Sequence, residues 1–235
     1  MNYAILLAGG TGSRITAEIP KQYIKAGPYM MITVALKAML ENDHIDGVCI
    51  VADADWREEI KRDAASAGLD TDRILSFAYP GDDRQLSILN GMNEIIGVEG
   101  EPSDTDTVLV HDAARPFITA DLLSAVYGSL DGHDGVMPVL PMKDTVYYSE
   151  NGSEVSELLD RGKIFAGQAP ELFLFGKYYE ANKALLPEKI LSVNGASEPA
   201  IIAGMDIVMI PGDEGNFKVT TDADVDRYLM IVKDR

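Results

Sequence analysis

Tyr3-Ala4-Ile5-Leu6-Leu7 runs straight into Ala8-Gly9-Gly10-Thr11-Gly12-Ser13-Arg14. The apolar run is too short for a helix and a glycine cluster ends it, so it reads as a buried strand. Two later runs behave alike. Val48-Cys49-Ile50-Val51 is β-branched and comes after a polar turn, and Thr107-Val108-Leu109-Val110 leads into His111-Asp112. Helix-like stretches fall between them, roughly at 31–41, 56–67 and 86–96. Strands apolar on both faces, alternating with helices, predict an α/β fold: a Rossmann-like, mostly parallel sheet with helices on both faces. Ligands of such sheets bind beyond the carboxyl ends of the strands. The residues to watch are therefore 8–14, 53–55 and 111–116.

The chain of 235 residues carries no internal repeat or low-complexity linker, and it reads as one domain over 1–235. One segment breaks the alternation. Thr145-Val146-Tyr147-Tyr148 leads to Asn151-Gly152 and then Glu154-Val155. Asn-Gly between strand-like residues signals a hairpin, so 142–168 is expected to form an extended β-hairpin arm. Its tyrosines and leucines need a cover, and a second subunit is the expected one, making a homodimer.

Composition narrows the function. Apolar residues make up 46% and charged residues 25%, which excludes collagen-like, mucin-like and broadly disordered chains. With 20 basic against 38 acidic residues the formal net charge is −18. That balance argues against nucleic acid and anionic membranes as partners. An anionic ligand would have to be met by a few cations gathered locally. Cys49, the only cysteine, cannot form an internal disulfide, which points to a reducing compartment. With no run of about 18 apolar residues and no basic n-region at the start, a cytoplasmic location is expected.

The glycine loop suits phosphate, because glycine lets successive amide N–H groups approach phosphate oxygens. Two familiar phosphate loops are excluded. A Walker loop needs Gly-Lys-Ser/Thr at its end, and this loop has none. The dinucleotide fingerprint needs a third glycine, and Ile15 stands there. The loop runs instead into Arg14 and then Pro20-Lys21-Gln22-Tyr23, which puts two cations where the amides end.

That loop with Arg14 and Pro20-Lys21-Gln22-Tyr23 resembles the opening of the nucleotidyltransferases that make CDP-polyols. The likeness is greatest to the 2-C-methyl-D-erythritol 4-phosphate cytidylyltransferases and the ribitol 5-phosphate cytidylyltransferases. Three later motifs agree and keep the family's order: Gly81-Asp82-Asp83-Arg84 with Ser87, His111-Asp112-Ala113-Ala114-Arg115-Pro116, and Asn216-Phe217-Lys218-Val219-Thr220-Thr221. The resemblance implies transfer of CMP from CTP to a small polyol phosphate with Mg²⁺ as cofactor. A phosphate acceptor is already largely ionised at pH 7, so positioning and charge neutralisation are the enzyme's task.

The resemblance also implies a role for each residue. Arg14, Lys21 and Lys218 neutralise charge building on the α-phosphate and the leaving pyrophosphate. Ala8, Gly9, Gly10 and Gly12 hold the triphosphate. Gly81, Asp82, Arg84 and Ser87 form the nucleotide's base-side loop, in which Ser87 serves the polar edge of cytosine and Arg84 either holds the loop or approaches the phosphates. Asp112 stands after a strand, where it suits Mg²⁺ or the acceptor's hydroxyls, or caps the next helix. Arg161 in the arm suits the acceptor's phosphate, or pairs with Asp160 at the surface. Arg115 and His111 read as ties between loops, and Trp56 as a packing anchor.

The chain also departs from the family pattern. Ala169-Pro170-Glu171 stands where Thr-Pro-Gln is usual, and Asn194 where a threonine is usual. Both threonines belong to the acceptor side. The opening loop looks closer to the ribitol branch and the His111–Pro116 motif to the methylerythritol branch, which is the acceptor expected here. A module that binds CTP without turnover is the alternative of another class.

Overall fold

The computed structural model describes residues 1–10 and 19–233. Arg14 and Gly12 therefore lie outside the described residues. β1 (Asn2–Leu7) is the centre of the sheet. Its alternate side chains go to two different cores, which is why its inner positions are all apolar. Ala4 and Leu6 pack in one core with α1 (Met31–Leu40), α2 (Ala54–Ser66) and α4 (Ala120–Gly128). Tyr3 and Ile5 pack in the other with α3 (Arg84–Glu99), α5 (Phe175–Lys183) and α6 (Glu198–Ile202). Helices on both faces are the consequence of a strand with no polar side.

The parallel neighbours of β1 are β4 (Gly47–Val51) and β6 (Thr107–Asp112), and β5 (Ile74–Ala78) lies beyond β4. A small hairpin, β2 (Lys25–Ala26) with β3 (Tyr29–Met30), precedes α1. On the far side of β6 comes β11 (Glu171–Leu174), antiparallel, then β7 (Gly135–Pro141). β12 (Ile207–Pro211) runs parallel to β7. β10 (Phe165–Gly167) pairs antiparallel with the end of β7. Gly135, Val136 and Val139 are each paired twice, so β10 and β11 share one side of β7 and β12 takes the other. The sheet is mostly parallel, as expected, with one antiparallel line interrupting it.

The hairpin arm forms, but its turn differs from the expectation. β8 (Val146–Tyr148) pairs with β9 (Glu157–Leu159). Tyr148 faces Glu157, so residues 149–156 all lie in the connection and Glu154-Val155 is not the return strand. Asn151 spends its side-chain oxygen on the backbone N–H groups of Ser153 and Glu154 at 2.9 and 3.0 Å, building a longer loop instead of a two-residue turn. Tyr147, Tyr148, Val155, Leu158 and Phe165 are all exposed. Among the described residues no helix is long and apolar enough to cross a membrane.

The last helix, α7 (Asp222–Lys233), packs through Val225 and the buried Tyr228 against Ala26 and Phe117. Asp224 accepts four hydrogen bonds from the N–H and hydroxyl groups of Thr220 and Thr221 at 2.8 to 3.0 Å. That cluster fixes the turn just beyond Lys218, and it holds the Asp224 carboxyl down at about 2 although partial burial alone would raise it.

Candidate active site

β1 ends between β4 and β6, where the chain's crossovers change direction. A cavity of about 420 Å³ opens at that point, a size suited to a nucleotide. Gly9 and Gly10 line it from the end of β1, Asp112 and Ala114 from the end of β6, and Gly81, Asp82, Asp83, Arg84 and Ser87 from the turn after β5. Lys21, Lys218 and Thr220 complete the wall. The two glycine turns nearly touch. A Cβ on Gly9 would run into the Pro80 ring, and one on Gly81 would strike Leu86 and the backbone of Ser87. Only glycine allows the loops after β1 and β5 to close on one ligand.

Lys21 sits on a single 3-10 turn, Lys21–Tyr23, whose other residues hold the glycine loop. Gln22 is buried and donates through Nε2 to the carbonyls of Ala8 (2.5 Å) and Gly10 (2.9 Å). Tyr23 donates its hydroxyl to Ala8 O at 2.8 Å and stacks on Trp56 with ring centres 4.0 Å apart. Ala8 is itself buried, and its N–H bonds Val51 O, so it shapes the loop and is not among the residues lining the cavity. Trp56 is the packing anchor expected of it. The bracing roles of Gln22 and Tyr23 do not emerge from sequence reasoning. The one signal for them is their place beside Lys21 in the same short motif.

Asp112 is the electrostatic centre. Its Oδ1 accepts from Arg84 Nε at 3.2 Å, its Oδ2 lies 2.9 Å from Lys218 Nζ, and Arg115 Nε lies 3.9 Å from the same oxygen. Burial alone would raise its pKa. The three cations, Arg84 first, overcome that and hold the carboxyl far below the usual range. Asp112 is therefore ionised at every working pH. It is neither a cap for α4, which Thr119 caps, nor an isolated metal ligand.

This arrangement does not suit Mg²⁺ held by the protein. Both Asp112 oxygens already face cations, and a divalent ion placed there would meet three positive charges. Among the described residues no three His, Cys, Asp or Glu side chains converge to hold a metal. The contacts of Asp112 thus give no support to the expectation that it holds Mg²⁺. The ligands left for that ion are a nucleotide's own phosphate oxygens and water.

The turn after β5 is built around α3. Asp83 caps the helix by accepting from Leu86 N at 2.7 Å, so the Asp82-Asp83-Arg84 run is not merely a solvated turn. Ser87 Oγ accepts from Gly81 N at 3.0 Å and donates to Asp83 O at 2.8 Å. Its hydroxyl hydrogen is committed to the loop. Ser87 thus ties the loop together while lining the cavity. Arg84 reaches across the cavity to Asp112 at the end of β6.

Lys218 is braced from both sides. Val219 N donates to Ala114 O at 2.8 Å, Arg115 Nη1 to Asn216 O at 2.8 Å, and Asn216 Nδ2 to Ala169 O at 2.7 Å. His111 is fully buried and contacts Arg115 O through Nε2 at 3.1 Å. Its partner is a carbonyl, so Nε2 carries the hydrogen. Burial pushes its pKa down to about 4, which leaves a neutral imidazole with no part in proton transfer. The loop-tying roles expected of His111 and Arg115 match these contacts.

The acceptor-side residues lie elsewhere. Arg161 is exposed at the base of the arm and donates to Lys143 O at 2.7 Å; Asp160 lies near Lys163 instead (3.7 Å). Asn194 has its N–H bonded to Glu198 at 2.7 Å, in an exposed contact. Neither lines the cavity. Glu171, by contrast, is buried beside the cavity wall. It lies near Ser197 and feels the Arg84 charge, yet burial dominates and pushes its carboxyl up to about 7.

Comparison with known proteins adds an independent line. The family model for IspD, 2-C-methyl-D-erythritol 4-phosphate cytidylyltransferase, matches residues 2–234. A bifunctional enzyme IspD/IspF of Paramagnetospirillum magneticum is 31% identical over 223 residues, covering 95% of this chain and 54% of that protein. A 2-C-methyl-D-erythritol 4-phosphate cytidylyltransferase of Tolumonas auensis is 31% identical over 232 residues, covering 98% of this chain and 96% of that one. The chain thus spans about half the length of its bifunctional relatives and nearly all of the single-function one. Among solved structures, 4-diphosphocytidyl-2C-methyl-D-erythritol synthase from Anaerococcus prevotii superposes with a TM-score of 0.80 at 23% identity, over 100% of this chain and 96% of that one. At that identity the likeness speaks for the fold.

Proposed function

The chain belongs to the IspD family, and from that premise we propose that it is a cytidylyltransferase that moves CMP from CTP to 2-C-methyl-D-erythritol 4-phosphate. The observation that carries the reading is the gathering of Lys21, Arg84 and Lys218 on one cavity by a chain whose net charge is −18. A triphosphate is the ligand that such a cluster suits. Gly9 and Gly10 present the loop backbone to it, and the Gly81–Ser87 turn closes on the base.

The reaction needs little from the protein beyond placement. An oxygen of the acceptor phosphate attacks the α-phosphorus of CTP, the new P–O bond forms opposite the leaving oxygen, and pyrophosphate departs with the electron pair. Lys21 and Lys218 neutralise charge at the α-phosphate and on the leaving group. Asp112 works through the cations it holds, fixing Arg84 and Lys218 at set distances before substrate arrives. His111, being neutral and buried, takes no proton. Arg161 and the exposed apolar side chains of the arm are completed by a second copy of the chain, whose site the arm reaches.

The test is pyrophosphate release with CTP, UTP or GTP against a panel of polyol phosphates. The expected result is release only with CTP and 2-C-methyl-D-erythritol 4-phosphate together. Release with ribitol 5-phosphate in its place would move the assignment to the other branch. CTP binding without release on any acceptor would favour a silent nucleotide-binding module. Sedimentation of wild type and of Leu158→Asp checks the dimer. Wild type is expected at twice the chain mass and the variant below it, and equal masses would remove the arm from that role.

A further inference from the structure

Glu171 on β11 is a buried carboxyl for which the reaction above has no use. It is about 8% exposed, its Oε2 is shielded from solvent, and that oxygen has no hydrogen-bond partner. Among the described residues, the charged and titratable groups that act on it belong to the site or its wall: Arg84 from α3, Asp112 and Arg115 from the end of β6, and Tyr178 from α5, with Ser197 ahead of α6. Arg84 is thus shared by two carboxylates of opposite character. Asp112 also has Lys218 at 2.9 Å and Arg115 at 3.9 Å and stays ionised. Glu171 has its share of Arg84, a weaker pull from Arg115 and the nearby Ser197 to set against burial.

An anion entering the cavity changes that balance. Phosphate oxygens beside Arg84 and Lys218 draw on the same positive charge that keeps Glu171 ionised, and they add negative charge nearby. We propose that Glu171 takes up one proton from solvent when substrate phosphates settle beside Arg84 and Lys218, so that the occupied site is relieved of a buried negative charge. No covalent bond between heavy atoms changes, and the orphan oxygen gains a hydrogen in place of a charge. Glu171 is a positioning residue in this scheme, acting through Arg84. Its carboxyl near neutrality in the empty site is what makes the uptake large in the physiological range.

The sign is fixed by linkage. A group whose pKa rises on binding favours binding at low pH and loses that benefit as pH rises through the bound-state pKa. One unit of coupling changes affinity by about tenfold across the range. The inference rests on CTP being the ligand, and the experiment keeps the two apart. CTP is titrated calorimetrically into the intact protein and into Glu171→Gln from pH 6 to 9, each in two buffers of different ionisation enthalpy. The nucleotide's own titration is common to both proteins and drops out of their ratio. Wild type is expected to lose about tenfold more affinity than the variant between pH 6 and 9 and to take up more protons at pH 8. Equal slopes and equal proton counts would overturn the role of Glu171 and leave the nucleotide assignment standing. No CTP binding to wild type would overturn both. Should Glu171→Gln not fold, wild type alone decides: proton uptake no larger than the nucleotide's own contradicts the proposal.

Discussion

The two ends of the cleft are built in different ways. The phosphate end is finished within one chain: Asp112 holds Arg84 at 3.2 Å and Lys218 at 2.9 Å, and Gln22 pins the glycine loop beside Lys21. The end proposed for the acceptor is open. Arg161 and Asn194 make only exposed contacts, and the arm exposes Tyr147, Tyr148 and Leu158. An electrostatic cluster made from one chain's strand ends is fixed before any ligand arrives. On the proposed dimer, the other end would be fixed only on assembly.

The sharpest way to break that contrast is Asp112→Asn. Removing this carboxylate leaves Arg84, Arg115 and Lys218 facing each other, and breaking a buried ion cluster this way costs about 3–5 kcal/mol. A urea midpoint close to wild type would show that the phosphate end is not held electrostatically. Next in size is Lys218→Ala, which removes a cation that strengthens its contact as charge develops. A loss of about 10²–10³-fold in the pyrophosphate-release rate is expected, with little change in thermal midpoint. Arg161→Ala should act on the other end alone. Losing a charge-assisted bond of about 1.5–3 kcal/mol raises the acceptor KM by roughly 10- to 150-fold while the CTP KM stays put. A matching rise in both would erase the division between the ends.

The smallest effect is one of stability. Glu171 has a folded pKa of about 7 against 4.5 for a free glutamate, so its burden on the fold is absent below pH 4.5, grows between 4.5 and 7, and is constant above. Glu171→Gln should therefore equal wild type near pH 4 and exceed it near pH 8, by on the order of 1–3 kcal/mol. A variant that gains more over wild type at pH 4 than at pH 8 would contradict the sign.

The same contrast governs what sequence can reveal. β1 is legible because an apolar run stops at glycine, Asp112 because it ends a strand, and Lys21 and Lys218 because each lies in a recognisable motif. The register that brings them together is a backbone property, and short runs report it faithfully. The turn of the arm is misjudged because Asn-Gly chemistry is local, whereas the Asn151 side chain satisfies two further N–H groups and lengthens the loop. Ser87 looks like a base reader because its hydroxyl is polar. Only the fold shows that hydroxyl spent on Gly81 and Asp83. The cations around Asp112 are hidden for a similar reason, since a single letter does not disclose three of them. Glu171 stands out as a departure, but its burial against Arg84 depends on β11 running antiparallel to β6, which no local pattern announces.

The crystal structure of the protein with CTP is the most direct measurement of whether these scattered cations act as one receptor. The expected density places the triphosphate within hydrogen-bonding distance of Lys21 Nζ and Lys218 Nζ, with the base against the Gly81–Ser87 turn. A nucleotide bound elsewhere, with neither lysine in contact with its phosphates, would contradict it.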